Sequence, residues 1–186
     1  MTAIEASGPD DVHLQVCGTQ ADIALWFVHG FADCGVSFGR LFETDLDKTA
    51  RLIAPDLPGF GASPRGNHGG LIVDHAATLL SLINSETPNS KIGLVGHSLG
   101  SAIAAEVAGK LGLRCTGVFS IEGNLTLDDA YFSGSAADFK NAKDFKNVFS
   151  HKIEECGAQS EIFRLYHGNL MHADADAMWR LGCDAK

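Results

Sequence analysis

At 186 residues the chain has the length of one domain and enough sequence to bury a real core. Apolar residues make up 45% and charged residues 20%, an ordinary globular balance that excludes disordered and fibrous architectures. A net charge of −9 with no basic block excludes a nucleic-acid footprint and electrostatic attachment to an anionic membrane.

The opening MTAIEASGPDD is acidic and lacks a basic segment followed by an apolar one, so no signal peptide is expected. No apolar run reaches the roughly 18 residues of a membrane span. Cys17, Cys34, Cys115, Cys156 and Cys183 are odd in number and form no C-x-x-C pair, the pattern of reduced thiols. These features predict a soluble, cytoplasmic protein.

Five segments read as strands. Residues 12–16 (VHLQV) alternate apolar and polar, as a half-buried strand near an edge does. Residues 23–28 (IALWFV), 51–55 (RLIAP), 91–95 (KIGLV) and 116–121 (TGVFSI) are continuous apolar runs, the pattern of strands buried on both faces. Helices are predicted between them at 36–47, 70–85 and 99–111. In the second, Ile72, Ala76, Leu79, Leu80 and Ile83 form a helix-spaced stripe with His75 on the same face. Alternating strands and helices predict an α/β fold with a largely parallel sheet and helices on both faces. Beyond residue 121 only helical patches follow, at Asp129–Ala137, Asp144–Glu155, Glu161–Met171 and Ala173–Leu181. The division expected is a core over 1–124 and a helical cap over 125–186.

Gly96-His97-Ser98-Leu99-Gly100 matches G-x-S-x-G, with a buried strand running into it and a helix running out. Such a turn holds its serine in a strained conformation, and the glycines let neighbouring backbone pass closely. It lifts the Ser98 hydroxyl above the carboxyl edge of the sheet, where open α/β folds place ligands. It also leaves the Leu99 N–H at a first helical turn, free to stabilise an oxyanion. A dinucleotide-binding turn is the competing reading. It needs G-x-G-x-x-G, whereas the stretch here is G-H-S-L-G-S, although Glu122 does sit where a ribose-binding acid would.

Three motifs follow successive strands: His29-Gly30-Phe31, then Asp56-Leu57-Pro58-Gly59-Phe60-Gly61-Ala62-Ser63, then the Ser98 pentapeptide. In that order and spacing, residues 12–124 resemble the first half of an α/β hydrolase. The resemblance implies that Phe31 supplies a second oxyanion N–H beside that of Leu99. It implies that His29 braces its loop, that Asp56 and Ser63 tie turns together, and that His97 packs nearby. Serine at the nucleophile position separates the chain from the aspartate-nucleophile dehalogenases and epoxide hydrolases. What it implies is cofactor-free hydrolysis of a small-molecule ester, thioester, lactone or carbon–carbon bond, with hydroxynitrile-lyase or cofactor-free oxygenase chemistry as lesser alternatives.

A serine triad also needs an acid and a base. Some branches of the family carry the acid after the strand that follows the elbow helix, which here is Glu122. A carboxylate ending an apolar strand is costly unless paired, which favours that role. The alternative places the acid beyond Lys186, with Glu122, Asn124 or Asp128 serving as a helix cap. The family's histidine follows a late strand, and none of His13, His68, His75, His151, His167 and His172 does. The expectation is therefore an incomplete hydrolase with little activity of its own, or a binding module that uses the old cleft. Its last strand, TGVFSI, would be left as an unpaired apolar edge prone to self-association or to complementation by a missing segment.

Overall fold

Six strands form one sheet: β1 (Ile4–Ser7), β2 (His13–Cys17), β3 (Ile23–Val28), β4 (Arg51–Pro55), β5 (Lys91–His97) and β6 (Cys115–Ile121). The computed structural model describes residues 4–19, 21–123 and 125–186. The spatial order is β1-β2-β4-β3-β5-β6. Strands β3 to β6 run parallel, while β1 and β2 are antiparallel additions on the β4 side. The sheet is thus largely parallel, and its most apolar strand, IALWFV, lies inside it.

Strand β1 was not legible in the sequence. All four of its residues are exposed, so no apolar periodicity marks it, and it exists through its ladder to β2. As a consequence β2 is second from the edge.

Helix α1 (Gly39–Phe42) is one turn, flanked by 3-10 turns at Gly35–Phe38 and Asp45–Lys48, where a single helix over 36–47 is predicted. Thr44 interrupts it. Its hydroxyl donates to the Leu41 carbonyl at 2.6 Å and accepts the Leu46 N–H at 3.4 Å, a local alternative to the helical bond. Helices α2 (Ile72–Glu86) and α3 (Gly100–Leu111) match their predicted segments to within two residues. On α3 Ser101, Ile103 and Ala104 are buried, while Ala105 faces solvent.

From residue 125 on, the described residues form no strand. The predicted helix at 129–137 is two 3-10 turns, Leu127–Tyr131 and Ser133–Asp138. Phe132 lies between them, and Gly134, inside the second turn, packs on the Ala130 methyl and the Lys186 side chain. Helices α4 (Ala142–Gly157), α5 (Glu161–His172) and α6 (Ala175–Asp184) follow. They share one apolar cluster with the sheet: Phe145, Phe149, Ile153, Leu170, Met178 and Leu181 are all buried in it. No described helix is long and apolar enough to cross a membrane.

Beneath the loop that follows β4, His75 is fully buried and neither ring nitrogen has a hydrogen-bond partner among the described residues. Its ring lies 4.3 Å from that of His68 and 5.9 Å from that of Phe60. Burial, then the neighbouring His68 and His29, hold its pKa well below the usual imidazole value of 6.5. The unfolded chain therefore binds a proton near pH 6.5 that the folded chain refuses. Stability should be full above that pH and fall as the pH drops below it. The urea midpoint should decline between neutral pH and pH 5, and His75→Leu should flatten that decline. A residual slope should remain from His29, whose pKa burial also lowers.

Candidate active site

The carboxyl ends of β3, β5 and β6 open into a cleft of about 1180 Å³. Gly30 and Phe31 follow β3, His97 and Ser98 end β5, and Glu122 and Gly123 follow β6. Helix α5 supplies the facing wall through Ile162, Phe163, Leu165, Tyr166 and Asn169.

The floor is built by crowding. A Cβ on Gly100 would stand 2.3 Å from the Val28 carbonyl oxygen and 2.5 Å from that of His29. One on Gly96 would stand 2.5 Å from the Ser101 Cα. Only hydrogen fits at either place. The turn between them sets Ser98 at φ +49°, in the left-handed region that L-residues other than glycine avoid. The Ser98 N–H donates to the Ile121 carbonyl at 2.8 Å, and the Ser101 hydroxyl donates to the Gly96 carbonyl at 2.8 Å. Ala32 (φ +55°) and Glu122 (φ +47°) share the same strained backbone. Strain of this kind concentrates at functional sites, and here three cases follow three adjacent strands.

Phe31 joins the helices to this floor. Its ring meets Phe149 edge-on at 5.6 Å and Phe145 at 6.1 Å, and its carbonyl accepts the Tyr166 hydroxyl at 2.8 Å. Among the described residues no acceptor takes the backbone N–H of Phe31 or Leu99. Gly30 holds the two segments together, since a Cβ there would lie 3.3 Å from Ser98 Cβ and 2.9 Å from His97 Nδ1.

Asp56 ties the loops behind the cleft. One carboxylate oxygen accepts the Gly35 N–H at 2.7 Å; the other accepts the Ala62 N–H at 2.8 Å and pairs with His13 Nδ1 at 3.0 Å. The Ser63 hydroxyl donates to the Asp56 carbonyl and accepts the His13 N–H. His29 is occupied at both nitrogens, accepting the Leu57 N–H at 3.0 Å and donating to the Gly30 carbonyl at 2.8 Å. Burial pushes the Cys34 thiol up to about 12, with Asp56 adding to the effect, so it stays protonated and is no rival nucleophile.

Glu122 differs from its expected surroundings. It is exposed on the cleft rim and has no hydrogen-bond or ion-pair partner among the described residues, so the burial cost argued from its apolar strand is not incurred. Asn124, the alternative helix cap, lies outside the described residues. Asp128 is exposed, and it is Asp129 that caps the following turn through the Leu125 and Thr126 amides. His97 is the one histidine lining the cleft among the described residues.

Two lining residues escaped the sequence reading. Tyr166 and Asn169 are three apart on α5 and share a face. Asn169 donates to the buried Asp33 carboxylate at 2.7 Å, which also accepts the Ser37 hydroxyl at 2.6 Å. Burial and the Asp33 charge push the Tyr166 phenol up, so it remains a donor. Only the helical spacing hinted at either, and nothing local in Phe31-Ala32-Asp33 announces the strained Ala32.

The family model described as alpha/beta hydrolase fold matches residues 23–151. The chain belongs to the α/β-hydrolase fold family. This α/β hydrolase is 36% identical over 93 residues to the dihydrolipoyllysine-residue acetyltransferase component of the acetoin cleaving system of Pseudomonas putida. That match takes in 50% of this chain and 24% of the relative. Among solved structures it superposes on a putative aryl esterase from Burkholderia cenocepacia with a TM-score of 0.72 at 20% identity, covering 97% of this chain and 71% of that one. An esterase from Exiguobacterium antarcticum gives 0.71 at 16% identity, covering 98% and 72%. The chain thus spans about seven-tenths of these two solved chains and about a quarter of this curated relative.

The crowding at the elbow is open to a stability test. Gly100→Ala drives a methyl into two backbone carbonyls that cannot rotate away, so it should cost at least the ~1–3 kcal/mol of an overpacked core. Gly109→Ala, on the same helix with open space around it, should be neutral or stabilising. Urea denaturation of the two variants checks the contrast.

Proposed function

We propose that the protein hydrolyses a small-molecule ester, thioester, lactone or carbon–carbon bond through Ser98. The observation that carries this reading is the strained Ser98 on the cleft floor between β5 and α3, beside two amide groups that no described acceptor takes. In the reaction the Ser98 oxygen attacks the substrate carbonyl as its proton passes to a base. The carbonyl oxygen, gaining negative charge, is held by the Phe31 and Leu99 N–H groups. The latter sits at the start of α3, where the helix dipole adds its positive end. Glu122 is the acid that orients the base and stabilises its charged form.

The base is the part that these residues do not fill. His29 is occupied at both nitrogens, His13 pairs with Asp56, and His167 bonds the Ser150 hydroxyl at 3.0 Å. His97 lines the cleft but is the chain neighbour of the nucleophile itself. That observation keeps a second reading in view, a non-catalytic module that binds small carbonyl compounds in the cleft.

A boronic acid separates the two, because it forms a tetrahedral serine adduct that mimics the oxyanion and binds as transition-state analogues do. The bound boron should show a tetrahedral ¹¹B resonance, lost in Ser98→Ala. A trigonal signal, unchanged by that substitution, would support the binding module. When the protein is assayed with its base present, Glu122→Gln should lower kcat by about 10⁴, as removal of a triad acid does elsewhere.

A further inference from the structure

Asp33 is the cleft residue whose charge the fold leaves half answered. It is 6% exposed, and no lysine, arginine or histidine forms an ion pair with it among the described residues. Its Oδ1 accepts two donors, the Ser37 hydroxyl at 2.6 Å and the Asn169 amide at 2.7 Å. Its Oδ2 accepts none among the described residues, yet that atom is not sealed inside the protein, and Asp33 borders the cleft. Oδ2 is therefore the acceptor that Asp33 offers to whatever occupies the cleft. A carboxylate taken this far out of water is costly unless donors or a cation meet it.

The backbone fixes where that oxygen stands. The Asp33 N–H donates to the Gly30 carbonyl at 3.3 Å, closing a four-residue turn with Ala32 at φ +55°. Gly30 lies against Ser98, so Asp33 stands one turn along the loop that meets the nucleophile. Ser37, from the 3-10 turn that follows, and Asn169, from α5, then hold the carboxylate from two separate elements.

Tying α5 to this loop does not require the charge. Both donors use one oxygen, and an asparagine at position 33 would accept them through its amide oxygen just as well. The second oxygen and the negative charge are surplus to that task.

The rest of the lining points to the same kind of ligand. Glu122 and Asp129 border the cleft with Asp33, against Arg40 as its one lysine or arginine among the described residues. Arg40 is exposed, so water already meets its charge, whereas Asp33 is almost shut off from water. A cleft lined mainly by one sign of charge concentrates ligands of the other sign.

We propose that Asp33 Oδ2 receives an ammonium group of the substrate, so that the compound Ser98 attacks is a cationic, amine-bearing carbonyl compound. The chemistry of that compound rests on the reading of Ser98 as nucleophile; the ammonium subsite stands on Asp33 alone. A bound ammonium donates to Oδ2 in a charge-assisted hydrogen bond and neutralises the buried carboxylate.

The test uses the meta and para isomers of aminomethylphenylboronic acid, each beside its uncharged methyl counterpart, at neutral pH. Binding is followed by the ¹¹B resonance and by the side-chain amide signals of Asn169, whose N–H rests on the same carboxylate. For at least one isomer, the preference for the ammonium probe over its methyl counterpart should fall by about tenfold or more in Asp33→Asn. Comparing preferences removes the effect of the ammonium on the boron itself. Asp33→Asn keeps the shape of the side chain and the acceptor for Ser37 and Asn169, and its circular dichroism spectrum should match that of the parent. The ammonium probes should also move the Asn169 signals in Ser98→Ala, where the methyl probes should not. Equal preferences in the parent and Asp33→Asn would overturn the ammonium subsite and leave the Ser98 reading standing. Absence of a tetrahedral boron signal with every probe would defeat the Ser98 reading instead, and the Asn169 signals would still decide the subsite. Should Asp33→Asn unfold, the same signals decide it in the parent: if the ammonium probes leave them where the methyl probes do, the proposal is wrong.

Discussion

Two carbonyl oxygens at the end of β3 decide how close the elbow helix comes to the sheet. Those of Val28 and His29 leave residue 100 room for hydrogen alone. Because α3 starts so close, the chain between β5 and α3 has to reverse within a few residues, and Ser98 absorbs the turn in its left-handed backbone. The Leu99 amide is left at the mouth of the helix, and the Gly30 loop is brought against Ser98 Cβ. A bulkier residue 100 would push the helix back, and the serine, the amides and the cleft floor would separate together.

A second constraint keeps the loops around that floor rigid without filling the cleft. Asp56 gathers the Gly35 amide from the loop after β3, the Ala62 amide from its own loop and an imidazole from β2, with its charge taken up by hydrogen bonds rather than by an arginine or lysine. Gly61 makes this feasible, since a Cβ there would overlap the Asp56 carboxylate. On the far wall, Tyr166 and Asn169 fix α5 to the Phe31 carbonyl and to Asp33. The apolar contacts around Phe31 provide most of the adhesion, and the two hydrogen bonds set the register of the helix.

The readable parts of the sequence were those where one local pattern had one structural outcome. Continuous apolar runs became the parallel strands, and G-x-S-x-G between a strand and a helix became the strained serine. What escaped was structure held by distant partners. β1 has no apolar pattern because it buries nothing and depends on the β2 ladder. The segment 36–47 has helical composition, but one threonine hydroxyl bonding its neighbours' backbone splits it into short turns. The apolar character of β6 implies a paired Glu122, yet the residue stands exposed on the cleft rim, where water covers the charge that the strand's composition suggests is costly. Tyr166 and Asn169 act on residues more than a hundred positions away, a separation that no window of sequence spans.

The strand order also governs how the molecule can be made. β3 is flanked by β4 and β5, both of which follow it in the chain. During synthesis from the amino terminus, the segment Ile23–Val28 therefore emerges with no partner until residue 55 has been added, and its second side stays open until residue 97. These six consecutive apolar residues have strong strand propensity and no charge, the composition that nucleates intermolecular β-pairing in unfolded chains. The same run that becomes an interior strand of the folded sheet stands open in the nascent chain until its partners have been made.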